Sequence, residues 1–396
     1  MRFEFDQIVV DADLREIRRE GEIAKIEPKA FDLLLFLIKN KDRVVSKEEL
    51  IEAIWSGRFI SDAAISSCVS AARKALQDDG REQKYLKTQH GRGFRFIGSL
   101  SNIMEDTPHH PLDRRPSHQI QFCKSEDGTQ IAYAISGEGP PMVKAGNWMT
   151  HLEFDWHSPV WSHLFAELNQ GRQLIRYDSR GNGLSSWDVT DLTLERQIED
   201  LEAVVAATGL RKFPLICVSQ GAPKGIAYAV RYPEKVEKMV ILGGYSRGWR
   251  VREKSGGLVM SDALVHMLKI GWGAENPAVR NLFTNIYMPD APIESQRWFS
   301  DLQRKSATAE NAVLNLDTFG NFNVGHLLAD VKVPTLVIHA RSDAGVPFSE
   351  GQDIAAGIPG AQFVTLNTSN HILPETDPAW QDCKRAMREF LGTVLE

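Results

Sequence analysis

Short runs in which apolar and polar residues alternate open the chain and predict β-strands. These runs lie near residues 3–5, 8–10, 14–18 and 22–26. Apolar residues then take helical spacing from Pro28 to about residue 39, and again over about residues 47–55. Ser46 immediately precedes the second of these runs. Glu49 lies three positions after Ser46, which is the spacing of a helix capping box. The pattern predicts a small sheet followed by helices.

A third helix is predicted in the stretch SDAAISSCVSAARKAL, which ends at residue 76. Its apolar stripe consists of Ile65, Val69, Ala72 and Leu76. The opposite face carries small side chains and one lysine: Ala63, Ser67, Ser70 and Lys74. Because these side chains are mostly short, that face can lie close to a binding partner. Two short strands follow, and Gly91-Arg92-Gly93 between them predicts a tight, basic hairpin tip.

Beyond residue 118 the pattern changes to apolar strands that alternate with helices, which is typical of an α/β sheet. Strands are predicted near residues 120–124, 131–136, 141–145, 173–177, 213–218, 236–242, 335–340 and 362–366. Helices are predicted near residues 160–169, 194–208, 222–231, 348–356 and 380–391. The two patterned regions are separated by a polar stretch with three prolines, residues 99–118, which we interpret as a linker. The predicted domains are therefore residues 1–98 and 119–396.

Composition and charge add a partner class and a compartment. The 396 residues carry a net charge of −6, yet residues 58–95 hold eight basic and four acidic side chains, which weakly indicates a polyanion partner for that stretch. The four cysteines show no paired spacing, so neither a disulfide framework nor a metal site is predicted. No apolar run is long enough to span a bilayer, and we expect a cytoplasmic protein that does not enter membranes.

Three helices after a small sheet, ending in a basic hairpin, resemble the OmpR/PhoB-type winged helix-turn-helix over about residues 3–98. The resemblance is strongest in AARKALQDDG and in LKTQHGRGFRF. It implies an α+β domain that binds double-stranded DNA, with the third helix in the major groove and the hairpin at a neighbouring minor groove. Carried over, the residues that face bases are Ala63, Ser67, Ser70 and Ala71, and those that meet phosphates or the minor groove are Arg73, Lys74, Thr88 and Arg92.

One departure from the family pattern limits this expectation. Family members often place arginine on the base-facing side of the third helix, whereas this chain has alanine and serine there. Arginine–guanine contacts are therefore missing from that side, so base preference would rest on DNA shape and on the spacing of paired sites. The alternative is that the module binds protein instead of DNA.

The stretch LICVSQGAP suggests a catalytic nucleophile. A strand that runs into small-x-Ser-x-Gly and then a helix is the nucleophile elbow of α/β-hydrolases, and here Cys217 replaces the usual first glycine of a motif centred on Ser219. Asp343 follows a later strand and His371 follows the last one, so the order of the three residues matches that fold. His371 would take the proton of Ser219, and Asp343 would orient the imidazole.

Two further segments complete the predicted machinery. Backbone N–H groups of Gln220 and of Asn147 or Trp148 are the candidate oxyanion hole. The segment YDSRGNGLS is a further signature of this fold and is interpreted as scaffold. With NWMTHLEFDW and SNHILPETDPAW, it resembles a bacterial group of α/β-hydrolase domains fused to signalling or DNA-binding modules, over about residues 120–394. The alternative for the predicted triad is that its members have structural roles only. In that case Asp343 caps a helix, His371 is a loop histidine and Ser219 is a turn hydroxyl.

The long insertion between the sixth and seventh strands, residues 246–330, occupies the position of a helical cap over a mostly parallel eight-stranded sheet. It is rich in large apolar side chains. We predict that a pocket for an apolar or aromatic small molecule is lined by Trp249, Trp272, Phe283, Tyr287, Met288, Trp298 and Phe299. The alternative for each of them is packing of the cap against the sheet.

Two functions remain open at this stage. The first is a DNA-binding transcription regulator whose hydrolase-like domain senses a small apolar or aromatic ligand, with hydrolysis of that ligand left open. The second is a serine hydrolase of the esterase, lactonase or amidase type, with DNA binding secondary. No cofactor is predicted. A homodimer is expected because the winged-helix family reads repeated half-sites.

Overall fold

A computed structural model describes residues 2–6, 8–12, 15–19, 22–55, 60–89, 91–98, 100, 102–104, 118–254, 261–274 and 276–392. The chain divides into two compact units, residues 1–114 and residues 115–396. Each unit has its own hydrophobic core.

The first unit combines an antiparallel sheet, three helices and a separate hairpin. In chain order its elements are β1 (Arg2–Phe5), β2 (Ile8–Asp11), β3 (Glu16–Arg19), β4 (Glu22–Ala24), α1 (Pro28–Lys39), α2 (Lys47–Trp55), α3 (Asp62–Leu76), β5 (Leu86–Gln89), β6 (Gly93–Phe96) and β7 (Asn102–Met104). The sheet order is β4-β3-β2-β1-β7, and β5 pairs with β6. This is the predicted winged-helix arrangement of a small sheet, three helices and a basic hairpin.

Helix α3 begins and ends at residues suited to those positions. The Ser61 hydroxyl accepts a hydrogen bond from the backbone N–H of Ala64, and Gln77 ends the helix in the left-handed conformation at φ +52°. Ile65 and Val69 are buried, as the predicted apolar stripe requires. The remaining face of the helix is therefore available at the surface.

The hairpin is held to the helices by one carboxylate and one close backbone approach. Asp78 accepts the backbone N–H groups of Lys84, Tyr85 and Leu86 at 2.7, 3.0 and 2.9 Å. At Gly93, which has φ +128°, any Cβ would overlap the carbonyl of Val45, so only glycine fits where the hairpin passes the start of α2. The hairpin position thus depends on residues outside the hairpin.

The predicted linker includes a short strand near its beginning. Residues 102–104 form β7, which pairs antiparallel with β1. Three residues are too few to display an alternating pattern, and the free edge of β1 supplies the pairing partner that the local sequence does not announce. The rest of the predicted linker up to residue 117 lies outside the described residues.

The second unit is built on a large sheet with helices around it. Its elements are β8 (Gln119–Lys124), β9 (Gln130–Ser136), β10 (Pro141–Lys144), α4 (Leu152–Trp156), α5 (Ser162–Leu168), β11 (Gln173–Tyr177), α6 (Leu194–Ala207), β12 (Phe213–Val218), α7 (Gly221–Arg231), β13 (Val236–Leu242), α8 (Trp249–Lys254), α9 (Ser261–Gly271), α10 (Ala278–Tyr287), α11 (Ile293–Ser306), α12 (Ala309–Gly320), a 3₁₀ helix (Gly325–Asp330), β14 (Thr335–Ala340), α13 (Phe348–Gly357), β15 (Gln362–Leu366) and α14 (Ala379–Leu391).

The sheet of this unit is mostly parallel. In the described residues it has eight strands in the order β15-β14-β13-β12-β10-β11-β9-β8, and antiparallel pairing is confined to β8, β9 and β11. All six residues of β12 are buried, as expected for a central strand that is covered on both faces. Helices α8 to α12 lie between β13 and β14 in the chain, where the cap was predicted.

The turn after β11 has a buried arginine at its centre. The Arg180 guanidinium, which is 1% exposed, donates to the carboxylates of Asp200 and Asp127. At Gly183, with φ +54°, an added Cβ would overlap the Asp178 carboxylate, which accepts the backbone N–H groups of Leu152 and Leu184. These contacts agree with the scaffold role predicted for this segment.

Close packing of α7 on β12 leads to a stability prediction. A Cβ at Gly225 would overlap the sulfur of Cys217, the residue that replaces the first glycine of the elbow motif. Gly225→Ala should lower the free energy of unfolding by about 1–3 kcal/mol, because the added methyl overpacks this contact. Cys217→Ala removes the sulfur and should rescue most of that loss in the double variant.

Urea unfolding of the full chain and of the three variants gives the double-mutant cycle. Strictly additive effects of the two substitutions would contradict the packing explanation.

Candidate functional site

Ser219 lies at the sharp turn between β12 and α7. Its backbone has φ +50°, a left-handed conformation that is unusual for a residue other than glycine. The Ser219 N–H donates to the carbonyl of Leu242, and its own carbonyl accepts the N–H of Ala222, so both strand and helix hold the turn. This is the strained geometry that exposes the nucleophile hydroxyl in hydrolase elbows.

His371 and Asp343 complete a hydrogen-bonded chain from this hydroxyl. His371 Nε2 lies 2.8 Å from Ser219 Oγ, and His371 Nδ1 lies 2.6 Å from Asp343 Oδ2. An ionised carboxylate only accepts hydrogen bonds, so Nδ1 carries the proton and Nε2 is left to accept the serine proton. Three side chains that are far apart in the chain therefore meet in the order and orientation of a nucleophile, a base and an orienting acid.

The environment of Asp343 keeps it ionised. Burial alone would raise the pKa of this carboxyl, but the charge and hydrogen bond of His371 outweigh burial and lower it below its usual range. The second oxygen, Oδ1, accepts the backbone N–H groups of Gly345 and Val346, both at 2.8 Å. Asp343 is thus ionised at neutral pH, and hydrogen bonds to both of its oxygens fix the orientation of its carboxylate.

The cap also supports the catalytic loop. The carbonyl of Tyr287, at the end of α10, accepts the backbone N–H groups of His371 and Ile372 at 2.9 and 3.1 Å. The Tyr287 ring lies 5.4 Å from the imidazole of His371, centre to centre. A shift of α10 would therefore move the base relative to Ser219.

The residues predicted for the oxyanion hole lie beside the nucleophile. Asn147, Trp148 and Gln220 line a small cavity together with Ser219 and His371. The buried ammonium of Lys144 donates to the side-chain oxygen of Asn147. The amide nitrogen of the same side chain donates to the carbonyl of Trp148 at 3.3 Å, so the Asn147 side chain is bonded through both of its polar atoms.

Most of the predicted pocket residues pack the cap instead. Trp272 stacks on Trp148 with ring centres 5.5 Å apart, and Phe283 packs edge-on against Trp272. The Trp249 N–H donates to the carbonyl of Leu316, Met288 is buried in the core and Trp298 stacks on Phe154. Of the predicted set, Tyr287 and Phe299 line the cavity beside Ser219. The other five pack against neighbouring side chains in the described residues, and their part in lining a pocket stays a prediction.

A second, small cavity was not predicted. We call it the inner cavity; its lining residues are Val160, Trp161, His163, Leu164, Val218, Leu242, His371, Ile372, Leu373 and Trp380. Trp161, Val218, His371 and Ile372 line both cavities, so the two adjoin at His371. Four of these residues lie in the segment HILPETDPAW, which begins at His371. The position of this segment at the predicted histidine of the triad is the sequence feature that could have indicated the cavity.

Buried charges behind the elbow were also missed. Burial lowers the pKa of Lys224 to about 7 and that of Lys144 to about 8, and it raises the pKa of Asp155 to about 8. Lys224 donates to the Ser179 hydroxyl at 3.1 Å. No sequence pattern singled out these residues, because single charged residues within strands and helices usually face solvent.

The face of α3 that was predicted to meet DNA is mostly at the surface. Ala63, Ser67, Ser70 and Lys74 are exposed, and Ala71 is half-buried. Arg92 at the hairpin tip is exposed as well. A cleft between α3 and the hairpin includes Ser70 and Thr88 in its lining. The helix and the hairpin thus present one continuous polar surface.

Arg73 makes contacts within the domain that were not predicted. Its guanidinium donates to the carbonyl of Leu86 at 2.7 and 3.2 Å and to the Thr88 hydroxyl at 2.8 Å. Arg73 and Thr88 therefore join α3 to the hairpin. Lys74 and Arg92 are the exposed cations of the predicted set, and a contact of Arg73 with phosphate stays a prediction.

Two other kinds of site are absent from the residues that the structure describes. Within those ranges, no group of three or more His, Cys, Asp or Glu side chains is arranged to hold a metal ion. No helix in the same part of the chain has both the length and the apolar character needed to cross a bilayer.

Comparison with known proteins divides the chain in the same way as its fold. Residues 21–96 match the family "Transcriptional regulatory protein, C terminal", and residues 152–378 match the family "alpha/beta hydrolase fold". The transcriptional regulator HilA of Salmonella typhimurium is 30% identical over 95 residues, which are 24% of this chain and 17% of HilA.

Relatives of the second domain are hydrolases. A 2-hydroxy-6-oxononadienedioate/2-hydroxy-6-oxononatrienedioate hydrolase of Paraburkholderia phymatum is 25% identical over 294 residues, covering 69% of this chain and 91% of that enzyme. The crystal structure of a hydrolase from Pseudomonas aeruginosa PA01 superposes with a TM-score of 0.58 at 23% identity, covering 69% of this chain and 99% of that one. At this identity the structural likeness shows the fold alone.

The chain belongs to the alpha/beta hydrolase fold family, and it carries ahead of that fold a winged-helix domain of the transcriptional regulatory protein C-terminal family.

Proposed function

We propose that this protein is a DNA-binding transcription regulator whose hydrolase domain binds a small molecule and hydrolyses it through Ser219, His371 and Asp343. The observation that carries the proposal is the hydrogen-bonded triad in a chain that also presents an exposed recognition helix. In this function the small molecule is the input and DNA occupancy is the output.

The catalytic half of the proposal rests on the geometry around Ser219. His371 Nε2, at 2.8 Å, accepts the serine proton as the hydroxyl oxygen attacks a carbonyl carbon. Asp343 stabilises the resulting imidazolium, and backbone N–H groups of Gln220 and Asn147 or Trp148 hold the developing oxyanion. The protonated histidine then passes its proton to the leaving group, and water releases the acyl group by the reverse sequence.

The regulatory half rests on the fusion and on the cap. A ligand changes DNA occupancy only if it binds one conformation or one oligomeric state more tightly than another. The Tyr287 carbonyl links the cap helix α10 to the catalytic loop, so a ligand in the cavity beside Ser219 contacts both. We propose a homodimer as the DNA-bound form, since the winged-helix family reads paired half-sites.

A second candidate function is an enzyme for which DNA binding is secondary. It is favoured by the relatives of the second domain, which include an enzyme named for hydrolysis of 2-hydroxy-6-oxononadienedioate. Esterase activity is expected under both functions, whereas a ligand-dependent change in DNA binding is expected only under the first.

Substitution of the nucleophile tests the catalytic half. Ser219→Ala should abolish both turnover of a simple p-nitrophenyl ester and covalent labelling by a fluorophosphonate, with a loss in kcat of about 10⁴-fold or more. Ser349→Ala, at an exposed position on α13, makes the same chemical change outside the site and should leave both signals unchanged. Wild-type protein that neither turns over esters nor becomes labelled would remove hydrolysis from the proposal.

Salt dependence tests the DNA-binding half. Lys74→Ala and Arg92→Ala should each weaken binding to a duplex selected from a random library by the wild-type chain. Each should also reduce the slope of log K against log salt by about 1, because one phosphate contact is lost. The measurement is fluorescence anisotropy over a range of salt concentrations.

Lys25→Ala is the charge-matched control, since Lys25 is an exposed lysine just after the edge strand β4. If all three variants keep the wild-type slope, the predicted DNA face is wrong.

A further inference from the structure

The inner cavity contains two buried polar atoms that have no partner. Among the described residues, neither the Trp161 indole nitrogen nor His163 Nδ1 makes a hydrogen bond. Both side chains are at least 95% buried, and both line the inner cavity. A buried donor and a buried acceptor left unpaired are costly, so their presence beside a cavity points to a ligand group that pairs with them.

The hydrogen-bonding character of His163 follows from its other nitrogen. Nε2 lies 2.9 Å from the carbonyl of Leu373, and because a carbonyl only accepts, Nε2 carries the proton. Nδ1 is therefore a bare lone pair. Burial lowers the pKa of His163 to about 4, so the ring is neutral at pH 7 and Nδ1 remains an acceptor.

The remaining lining of the inner cavity excludes a charged ligand. The described side chains around it are aliphatic or aromatic apart from the two histidines, and they include Val160, Leu242 and Leu373. No lysine, arginine, aspartate or glutamate is among these lining residues. A carboxylate placed there would lose its hydration without gaining a counter-ion, which is strongly unfavourable.

We infer that the inner cavity is a substrate subsite for a neutral, largely apolar chain that bears one hydroxyl group, with Trp161 donating to that hydroxyl and His163 Nδ1 accepting from it. The inference rests on the proposed hydrolase function and names its substrate class. A hydroxyl is the smallest neutral group that accepts and donates at once, and it therefore pairs both atoms. His163 is then a specificity-determining residue that takes no part in the bond-breaking step.

This subsite adjoins the cavity beside Ser219, where the proposed reaction takes place. The inner cavity shares Trp161, Val218, His371 and Ile372 with the cavity beside Ser219, so a chain that starts at the ester carbonyl extends past the imidazole into it. The P. phymatum relative is named for a dioate substrate, which carries two carboxylates. The lining predicts that this chain rejects such an anion in the inner cavity.

The test uses p-nitrophenyl esters whose acyl chains, of graded length, end in a hydroxyl, a methyl or a carboxylate. For at least one chain length, wild-type kcat/KM should be about ten-fold or more higher for the hydroxyl ester than for its methyl counterpart. The carboxylate ester should be the poorest substrate at every length. Equal kcat/KM for hydroxyl and methyl esters throughout the series would overturn the inference while leaving the hydrolase proposal intact.

Variants at residue 163 connect the preference to this side chain. His163→Leu should bring the hydroxyl-to-methyl ratio to about 1 while turnover of the methyl ester persists, and His163→Asn, which restores an acceptor, should recover part of the preference. His266→Leu, at an exposed position on α9, is the matched control and should keep the wild-type ratio. A preference that survives His163→Leu would also overturn the inference.

Binding separates failure of the subsite from failure of catalysis. Tryptophan fluorescence of Ser219→Ala protein, titrated with the same hydroxyl and methyl esters, reports binding without turnover. Tighter binding of the hydroxyl ester that is lost in Ser219→Ala/His163→Leu supports the subsite even if the wild-type chain hydrolyses nothing. Equal binding of both esters counts against the subsite whatever the rate of hydrolysis.

Discussion

The left-handed backbone of Ser219 is the constraint on which the catalytic half of the molecule depends. A residue at φ +50° between a central strand and a helix places its hydroxyl at the end of the sheet, but only if nothing bulky stands on either side. Cys217 and Gly225 meet this demand jointly, since the thiol occupies the space that a side chain at residue 225 would need. Asp343 and His371 then come to the same edge, because both follow strands of the same parallel sheet.

The first domain depends on an equivalent constraint at its hairpin. Asp78 binds three backbone N–H groups at the start of the hairpin, and Arg73 binds the carbonyl of Leu86 and the hydroxyl of Thr88. These contacts fix the hairpin against α3, so Lys74 on the helix and Arg92 at the tip keep a defined separation. A fixed separation of cations is what a surface that reads the spacing of phosphates and grooves requires.

Strong local patterns made much of this fold predictable from the sequence. The apolar stripe of α3, the fully apolar strand before Ser219 and the strands before Asp343 and His371 are each readable without any other part of the chain. Residues whose role is set by distant partners were not predictable. The strand at residues 102–104 pairs with the free edge of β1. The guanidinium of Arg73 turns toward the hairpin because the Leu86 carbonyl and the Thr88 hydroxyl accept its hydrogen bonds.

The two cavities near Ser219 show the same limit. Large apolar residues of the cap were expected to line a pocket, and two of them, Trp272 and Trp298, stack on the rings of Trp148 and Phe154. Trp161, His163 and Trp380 line the inner cavity instead, and they come from two segments that are more than 200 residues apart in the chain. Periodicity in the sequence predicts which side chains are buried. A cavity forms where buried side chains do not pack against one another, and that depends on the tertiary structure.

The central claim is that occupancy of the site at Ser219 alters binding of DNA by the same polypeptide. The most direct measurement compares the affinity of the full chain for its selected duplex before and after stoichiometric fluorophosphonate labelling of Ser219, with Ser219→Ala treated in parallel. The account predicts a change in Kd of about 5- to 150-fold, the usual range of coupling between two sites, and no change for Ser219→Ala. Equal affinity of the labelled and unlabelled chains, with labelling verified by mass, would contradict it.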